Sequence, residues 1–174
     1  MKKETEKEMK KRILLTALTA VLILTLGLAA GCGGNSGAAG ADEEPVASAS
    51  AGEMGAALLE KVDVATMQLD ETGLKDFFGL DSEKYEEAVG YMAMMNVKAA
   101  DLVIVKAKTP EDVADLKAGL EARQETNVQT WSQYLPDQYE IVKNYKLIEK
   151  GRYLLYVVAK DADGIAEDFE SYFK

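Results

Sequence analysis

Hydrophobic and polar positions divide this 174-residue chain into three stretches of different character. Residues 13–30 are apolar and uncharged and follow a basic start. The next stretch, 33–52, is rich in Gly, Ala and Ser and has no periodic apolar pattern, whereas 53–174 shows helical and strand-like spacing. We therefore predict a leader over 1–32, a flexible tether over 33–52 and one globular domain over 53–174.

Two short helices are predicted at the start of the domain. Apolar residues recur at helical spacing over 53–62 and again over 70–78. Asp70 has the side chain of an N-cap, and Gly79 ends the second helix.

Four strands are predicted in two antiparallel pairs. The first pair is 87–95 and 100–107, and the second is 142–148 and 153–160 around a turn at Gly151. Within the strands of both pairs, consecutive residues are apolar, so both faces of the sheet are hydrophobic and need a cover.

A helix follows each strand pair. Thr109 as N-cap and Pro110 at the first helical position predict a helix that runs to about Tyr134, and a shorter helix is predicted over 164–173. The expected fold is α+β, with a four-stranded, mainly antiparallel sheet and both of these helices on one face. The two N-terminal helices are the simplest cover for the other face, and a partner protein is the alternative.

The leader ends in Leu28-Ala29-Ala30-Gly31-Cys32, which holds the only cysteine of the chain. Small residues before such a cysteine are typical of a lipoprotein signal peptide, after whose cleavage the thiol carries a diacylglycerol. Bacterial lipoboxes usually have leucine where this chain has Ala29. The alternative is an uncleaved membrane helix, since 18 residues span roughly 27 Å of a hydrocarbon core about 30 Å thick. The basic start predicts a domain on the outer face of the cell membrane.

Charge excludes one class of partner. The whole chain has 20 basic and 30 acidic residues; residues 1–32 hold six of the basic and three of the acidic ones, so 14 and 27 remain, a net charge of −13. A surface of this sign repels nucleic acid, whose binding depends on Lys and Arg patches. We expect no nucleic-acid partner.

The absence of histidine limits the possible chemistry. It excludes Ser-His-Asp and Cys-His catalysis and His-ligated zinc, and no Gly-rich phosphate loop is present. Carboxylates are the main remaining catalytic groups, so a carboxylate-dependent hydrolase or transferase of the envelope is the enzymatic alternative. We expect no cofactor.

Two motifs are weak candidates for metal-binding sites. Asp161-Ala162-Asp163-Gly164 resembles the start of a calcium loop but lacks the later ligands, so Asp161 or Asp163 is expected to cap the last helix. Met92, Met94 and Met95 could bind copper(I), but without histidine they are predicted to fill the core. We expect no metal site.

The long helix carries polar residues on its apolar stripe. Asn127 lies in the middle of the stripe, with Arg123 and Gln124 at its edges. In one interpretation Arg123 pairs with a nearby acid and Asn127 bonds to loop backbone. In the other, Arg123, Asn127, Tyr134 and Gln138 line a shallow site for an anionic or peptide ligand.

Several runs of the chain resemble a known family. They are Phe77-Phe78-Gly79-Leu80-Asp81, Ala100-Asp101-Leu102-Val103-Ile104-Val105-Lys106, Tyr134-Leu135-Pro136-Asp137-Gln138 and Gly151-Arg152-Tyr153. With the Cys32 motif and Arg123, they resemble the small lipoproteins of Gram-positive bacteria grouped as domain of unknown function 4358. The resemblance covers most of 70–173 and implies the anchor and the fold; the family has no settled activity, so it implies no catalytic residue.

These observations lead to one functional expectation. The chain is expected to be a bacterial lipoprotein held in the membrane by lipid on Cys32, whose domain is an extracytoplasmic binding or interaction module of the cell envelope. Its expected partner is an envelope protein or peptide.

Overall fold

A computed structural model describes residues 44–174. The predicted leader, Cys32 and the first part of the tether, up to residue 43, lie outside this range. In the described part of the chain, no helix combines the length and the apolar character needed to cross a membrane.

Residues 44–174 contain five helices and five strands. The helices are α1 (Ala51–Leu59), α2 (Glu71–Phe78), α3 (Asp112–Trp131), α4 (Pro136–Lys143) and α5 (Ala162–Ser171). The strands are β1 (Thr66–Gln68), β2 (Tyr85–Ala93), β3 (Asp101–Ala107), β4 (Lys146–Lys150) and β5 (Tyr153–Val158).

The strands form one antiparallel sheet in the order β1-β2-β3-β5-β4. The α+β class and both predicted hairpins are confirmed, but the predicted number of four strands was wrong. The missed strand, β1, pairs with the last three residues of β2, where Met67 lies opposite Met92. Three residues are too few to show a strand period in the sequence.

Each face of the sheet is covered by helices of the same chain. One face presents Val103, Val105 and Tyr156 to a core shared with α2, α3 and α4. The opposite face presents Ile104 and Leu155 to a core shared with α1 and α5. The prediction that both faces are apolar is confirmed.

The predicted placement of the helices was wrong. The helices α3 and α5 lie on opposite faces, because Leu116 and Leu120 pack on the first core whereas Ile165 and Phe169 pack on the second. Of the two N-terminal helices, α1 covers the second face and α2 the first. The result is a sheet between two helical layers.

Most helix boundaries follow local signals. Asp70 caps α2 by accepting a hydrogen bond from the Gly73 amide at 2.8 Å, and Gly79 ends this helix in the left-handed conformation with φ of 67°. Asp161 caps α5 through the Gly164 amide at 3.3 Å. These three predictions are confirmed.

Two proline-containing signals were misread. The helix α3 begins at Asp112 instead of Pro110, because the Thr109 hydroxyl donates to the Asp112 carboxylate at 2.8 Å instead of accepting from the helix. Pro136 follows the predicted helix end at about Tyr134, and it opens a further helix, α4, that was not predicted; at this position its missing N–H costs nothing. Since α4 includes Val142, strand β4 begins later than the predicted 142–148.

The last part of the predicted tether belongs to the folded domain. Ser50 caps α1 in a reciprocal box with Glu53, and Ala47 forms a bridge with Phe173. The Ser48 amide donates to the Tyr172 carbonyl at 2.8 Å, and Arg152 Nε to Glu44 Oε1 at 2.5 Å. The domain therefore includes residues 44–52, which composition alone assigned to the tether.

Candidate functional site

A small cleft opens at one end of the sheet, where β2 ends at Ala93, β3 begins at Asp101 and β5 ends at Val158. We call this the Asp101 end. The cleft has a volume of about 120 Å³ and lies between the β2–β3 loop and α3. The lining side chains used below are Met92, Met95, Lys98, Asp101, Arg123, Asn127 and Trp131.

An ion pair with two contacts forms the base of the cleft. Arg123 Nε donates to Asp101 Oδ2 at 2.9 Å, and Nη2 donates to Oδ1 at 3.1 Å. Asp101 is only 4% exposed, and the Arg123 Cζ lies 5.1 Å from the centre of the Phe78 ring. The expectation that Arg123 pairs with an acid is confirmed.

Asn127 connects this ion pair to the interior. Its Nδ2 donates to Asp101 Oδ2 at 2.8 Å and to the Tyr156 hydroxyl at 3.0 Å. The Tyr156 hydroxyl donates to Gln124 Oε1 at 2.8 Å, and Gln124 Nε2 donates to the Val142 carbonyl at 2.9 Å. The expected loop-backbone partner for Asn127 was therefore wrong, since Gln124 makes the backbone contact instead.

Every buried polar side chain in this network has a hydrogen-bond partner, so the donor and the acceptor of each bond are defined. In residues 44–174, no buried side-chain nitrogen or oxygen lacks a hydrogen-bond partner. Burial, and then the nearby charge of Asp101, raises the pKa of Tyr156 above its ordinary value. The hydroxyl therefore remains a donor at neutral pH, and α3 is tied to β3, β5 and α4.

The four predicted site residues do not share one pocket. Arg123 and Asn127 line the cleft. Gln138 lies beside a neighbouring hollow that Lys98 also lines, and its Oε1 accepts from the Ala99 amide at 3.0 Å. Tyr134 is 56% exposed and packs against Trp131, with ring centres 6.1 Å apart.

Sequence reasoning missed three lining residues. Asp101 is an acid directly before four consecutive apolar residues of a strand, and this position is a signal that could have identified it as the partner of Arg123. Trp131 is the only tryptophan of the chain and belongs to the apolar stripe of α3. Lys98 carried no distinguishing signal, because a lysine in a turn is ordinary.

Exposed apolar side chains lie at the same end of the sheet. We define the apolar rim as Met67, Met94, Met95, Val97 and Tyr134, which are between 41% and 64% exposed. The prediction that Met94 and Met95 fill the core was wrong, because β2 ends at Ala93 and both residues lie in the loop beyond it. Met92, still in the strand, packs against the core.

A second charged cluster lies at the opposite end of the sheet. Arg152 binds Glu44, Glu86 and the carbonyls of Ala107 and Lys108, all within 3.0 Å. We call this the Arg152 end. Hydrogen bonding to Lys106 and then to Arg152 lowers the pKa of Glu86. The cluster attaches the first described residue of the chain to the sheet.

Carboxylates do not converge in the cleft. Asp101 is the one acidic residue among those lining it, and both of its oxygens are held by Arg123 and Asn127. Over residues 44–174, no group of three or more acidic or cysteine side chains is placed to hold a metal ion.

Fold and site together define a small α+β domain with a layered sheet and one polar cleft at a sheet end. The family described as Domain of unknown function (DUF4358) matches residues 60–159, and the chain belongs to this family. The matched range includes the whole sheet and the cleft but not α1 or α5. No curated protein and no solved structure matches the chain.

Proposed function

We propose that this protein is a bacterial lipoprotein, held at the outer face of the cell membrane by lipid on Cys32, whose domain binds another protein of the cell envelope. The observation that carries the binding proposal is the apolar rim around the polar cleft at the Asp101 end. The motif that ends at Cys32 supports the anchor.

The size of the cleft favours a protein partner over a small molecule. Its volume of about 120 Å³ compares with about 300–1,000 Å³ for typical small-molecule sites. The cleft is therefore smaller than most sites of that kind. It therefore accepts one side chain or one chain end, and most of the binding energy must come from the surrounding surface.

The apolar rim supplies that surface. Methionine side chains are flexible and polarizable, which allows them to fit partners of different shape. Tyr134 is an exposed aromatic residue that packs on Trp131, and tyrosine is enriched among the residues that contribute most to binding at interfaces. Leaving such residues in water is unfavourable for a free domain, so a partner that covers them gains hydrophobic energy.

The attachment of Glu44 to the domain supports an orientation in which this surface faces away from the membrane. Glu44 is attached at the Arg152 end, and the length of β3 separates the two sheet ends by about 20 Å. Eleven residues lie between Cys32 and Glu44, and in any conformation they span at most about 40 Å. Because a domain of this size is about 35 Å across, turning the Asp101 end to the bilayer would require nearly all of this length.

Anchoring and binding are tested separately. In the full chain, Cys32→Ala should abolish labelling by a fatty-acid probe and accumulate uncleaved precursor, because the thiol that carries the lipid is gone. Undiminished labelling would overturn the anchor.

For binding, Met95→Asp should lower the yield of protein complexes crosslinked in intact cells at least tenfold, because it puts a charge on the apolar rim. Phe77→Asp is the matched control, since Phe77 is 49% exposed on α2 and lies outside the rim. Equal losses from both variants would contradict a specific surface at the Asp101 end.

A further inference from the structure

We infer that the cleft recognises a carboxylate next to an apolar side chain, and that Arg123 is the residue that binds it. The inference rests on the proposed binding function, because it names the chemical group that the partner presents. It follows from the donors that Arg123 leaves open, from the way this side chain is held, and from the residues around it.

Arg123 uses only part of its hydrogen-bonding capacity. Nε and Nη2 each donate one hydrogen bond to Asp101, so two of the five guanidinium N–H groups are engaged. Nη1 has no partner within residues 44–174, and no buried side-chain nitrogen there lacks one. Nη1 is therefore not fully buried, and because Arg123 lines the cleft, we place its open donors there.

The guanidinium is held in place before any ligand arrives. Asp101 fixes one of its edges, and Phe78 lies against its plane. Asn127 in turn fixes Asp101 and is itself bonded to Tyr156. A fixed guanidinium matches the planar, two-oxygen geometry of a carboxylate, and less entropy is lost when it binds.

Lys98 gives the cleft its net positive charge. Asp101 offsets the charge of Arg123, so the Arg123–Asp101 pair alone attracts an anion weakly. Lys98 lines the cleft, and no ion pair between described residues includes it. One uncompensated positive charge suits a singly charged carboxylate.

The other walls of the cleft are apolar. Trp131, Met92 and Met95 contribute them, so the carbon chain beside the carboxylate can be buried. The group with these properties is either the carboxyl terminus of a partner with an apolar last residue or an acidic side chain next to an apolar one.

Trp131 makes the inference testable with the full chain. It is the only tryptophan, so the tryptophan fluorescence of the full chain purified in an uncharged detergent reports this cleft alone. N-acetyl-leucine should change the emission at concentrations at least tenfold lower than N-acetyl-leucinamide, which lacks the carboxylate. We expect N-acetyl-leucine to bind in the millimolar range. Equal responses to the two probes, or no response to either at concentrations up to 100-fold above that range, would overturn the inference.

Two further probes identify the source of the carboxylate and the limits of the site. N-acetyl-glutamic acid amide carries its carboxylate on the side chain, so a stronger response to it than to N-acetyl-leucine assigns the site to an acidic side chain, and a weaker one to a chain terminus. A response to inorganic phosphate without one to either carboxylate probe would contradict the inference.

Variants connect the response to named residues. Lys98→Gln should weaken N-acetyl-leucine binding three- to tenfold, while Lys75→Gln, an exposed lysine on α2, should leave it unchanged. Arg123→Lys keeps the charge but loses the planar edge, so it should remove most of the preference for the acid over the amide. Equal effects of the two lysine variants would count against the assignment.

Discussion

Asp101 and Arg123 join the first residue of β3 to the middle of α3 through two hydrogen bonds of 2.9 and 3.1 Å. Both side chains are largely buried, with exposures of 4% and 14%. Asp101→Asn should therefore lower the free energy of unfolding by about 3 kcal/mol, because it leaves the buried charge of Arg123 without a counter-ion. Urea unfolding of the two proteins at pH 7 measures the difference.

The control is an ion pair at the surface. Lys117 and Glu149 are 3.0 Å apart and well exposed, so Glu149→Gln should cost less than about 1 kcal/mol. A loss at Asp101 no larger than the loss at Glu149 would show that the pair at the base of the cleft does not hold α3 to the sheet.

Close packing of α3 on the end of α2 gives a second prediction. A Cβ atom at Gly119 would lie 2.5 Å from the carbonyl oxygen of Phe78, which is backbone and cannot rotate away. Gly119→Ala should therefore destabilise the protein by about 1–3 kcal/mol. Gly52→Ala is the matched change on α1, where nothing lies within 4 Å, and it should be neutral or stabilising by up to about 1 kcal/mol. Thermal unfolding that ranks the two variants in the opposite order would contradict the packing.

The assignment of residues 44–52 to the domain gives a third prediction. Ser50→Ala should lower stability by about 1 kcal/mol, because its hydroxyl accepts from the Glu53 amide and caps α1. Ser82→Ala serves as the control, since among described residues only its backbone carbonyl takes part in a hydrogen bond. If chemical denaturation finds no difference between the two variants, the cap does not stabilise the fold.

Tyr156 gives a prediction for alkaline pH. Because burial raises its pKa, the folded state keeps the phenolic proton at pH values where the unfolded chain loses it. Its contribution to stability is thus complete below about pH 10 and declines as the pH rises further. Tyr156→Phe leaves Gln124 and Asn127 each without one partner, which should cost about 1–3 kcal/mol at pH 7.

The raised pKa values of several lysines also weaken the fold at high pH, so the informative quantity is the difference between wild type and Tyr156→Phe. Urea unfolding at pH 7 and pH 10.5 should show this difference shrinking at the higher pH. A difference that is the same at both values would mean that the Tyr156 proton is not coupled to folding.

Local signals predicted the elements that depend on local physics. Asp70 begins α2 and Gly79 ends it as expected, and the consecutive apolar residues in β3 and β5 indicated a sheet buried on both faces. Where the outcome depends on distant residues, the sequence was insufficient. The face that α5 covers is decided by Ile165 and Phe169 packing under the sheet. The start of the domain depends on residues more than 100 positions later, since Glu44 binds Arg152 and Ser48 binds Tyr172.

The candidate site was likewise predictable from local sequence only in part. Helical projection placed Arg123 and Asn127 together, because their spacing of four residues puts them on one face of α3. The projection could not predict Asp101, because this residue belongs to β3 and meets Arg123 and Asn127 only where β3 packs against α3. Tyr134 follows the end of α3 and Gln138 lies in the unexpected helix α4, and neither residue lines the cleft.

Site-specific photo-crosslinking in intact cells tests the central proposal most directly. The photoreactive amino acid p-benzoylphenylalanine replaces Tyr134 in the apolar rim, Phe77 on α2, or Val46 near the Arg152 end, all of which are exposed in the structure. An anchored domain that binds an envelope protein with its Asp101 end predicts protein adducts at Tyr134, reduced at least tenfold by Met95→Asp, and few or none at Phe77 and Val46. Lipid adducts at Tyr134, or equal protein adducts at all three positions, would contradict the account.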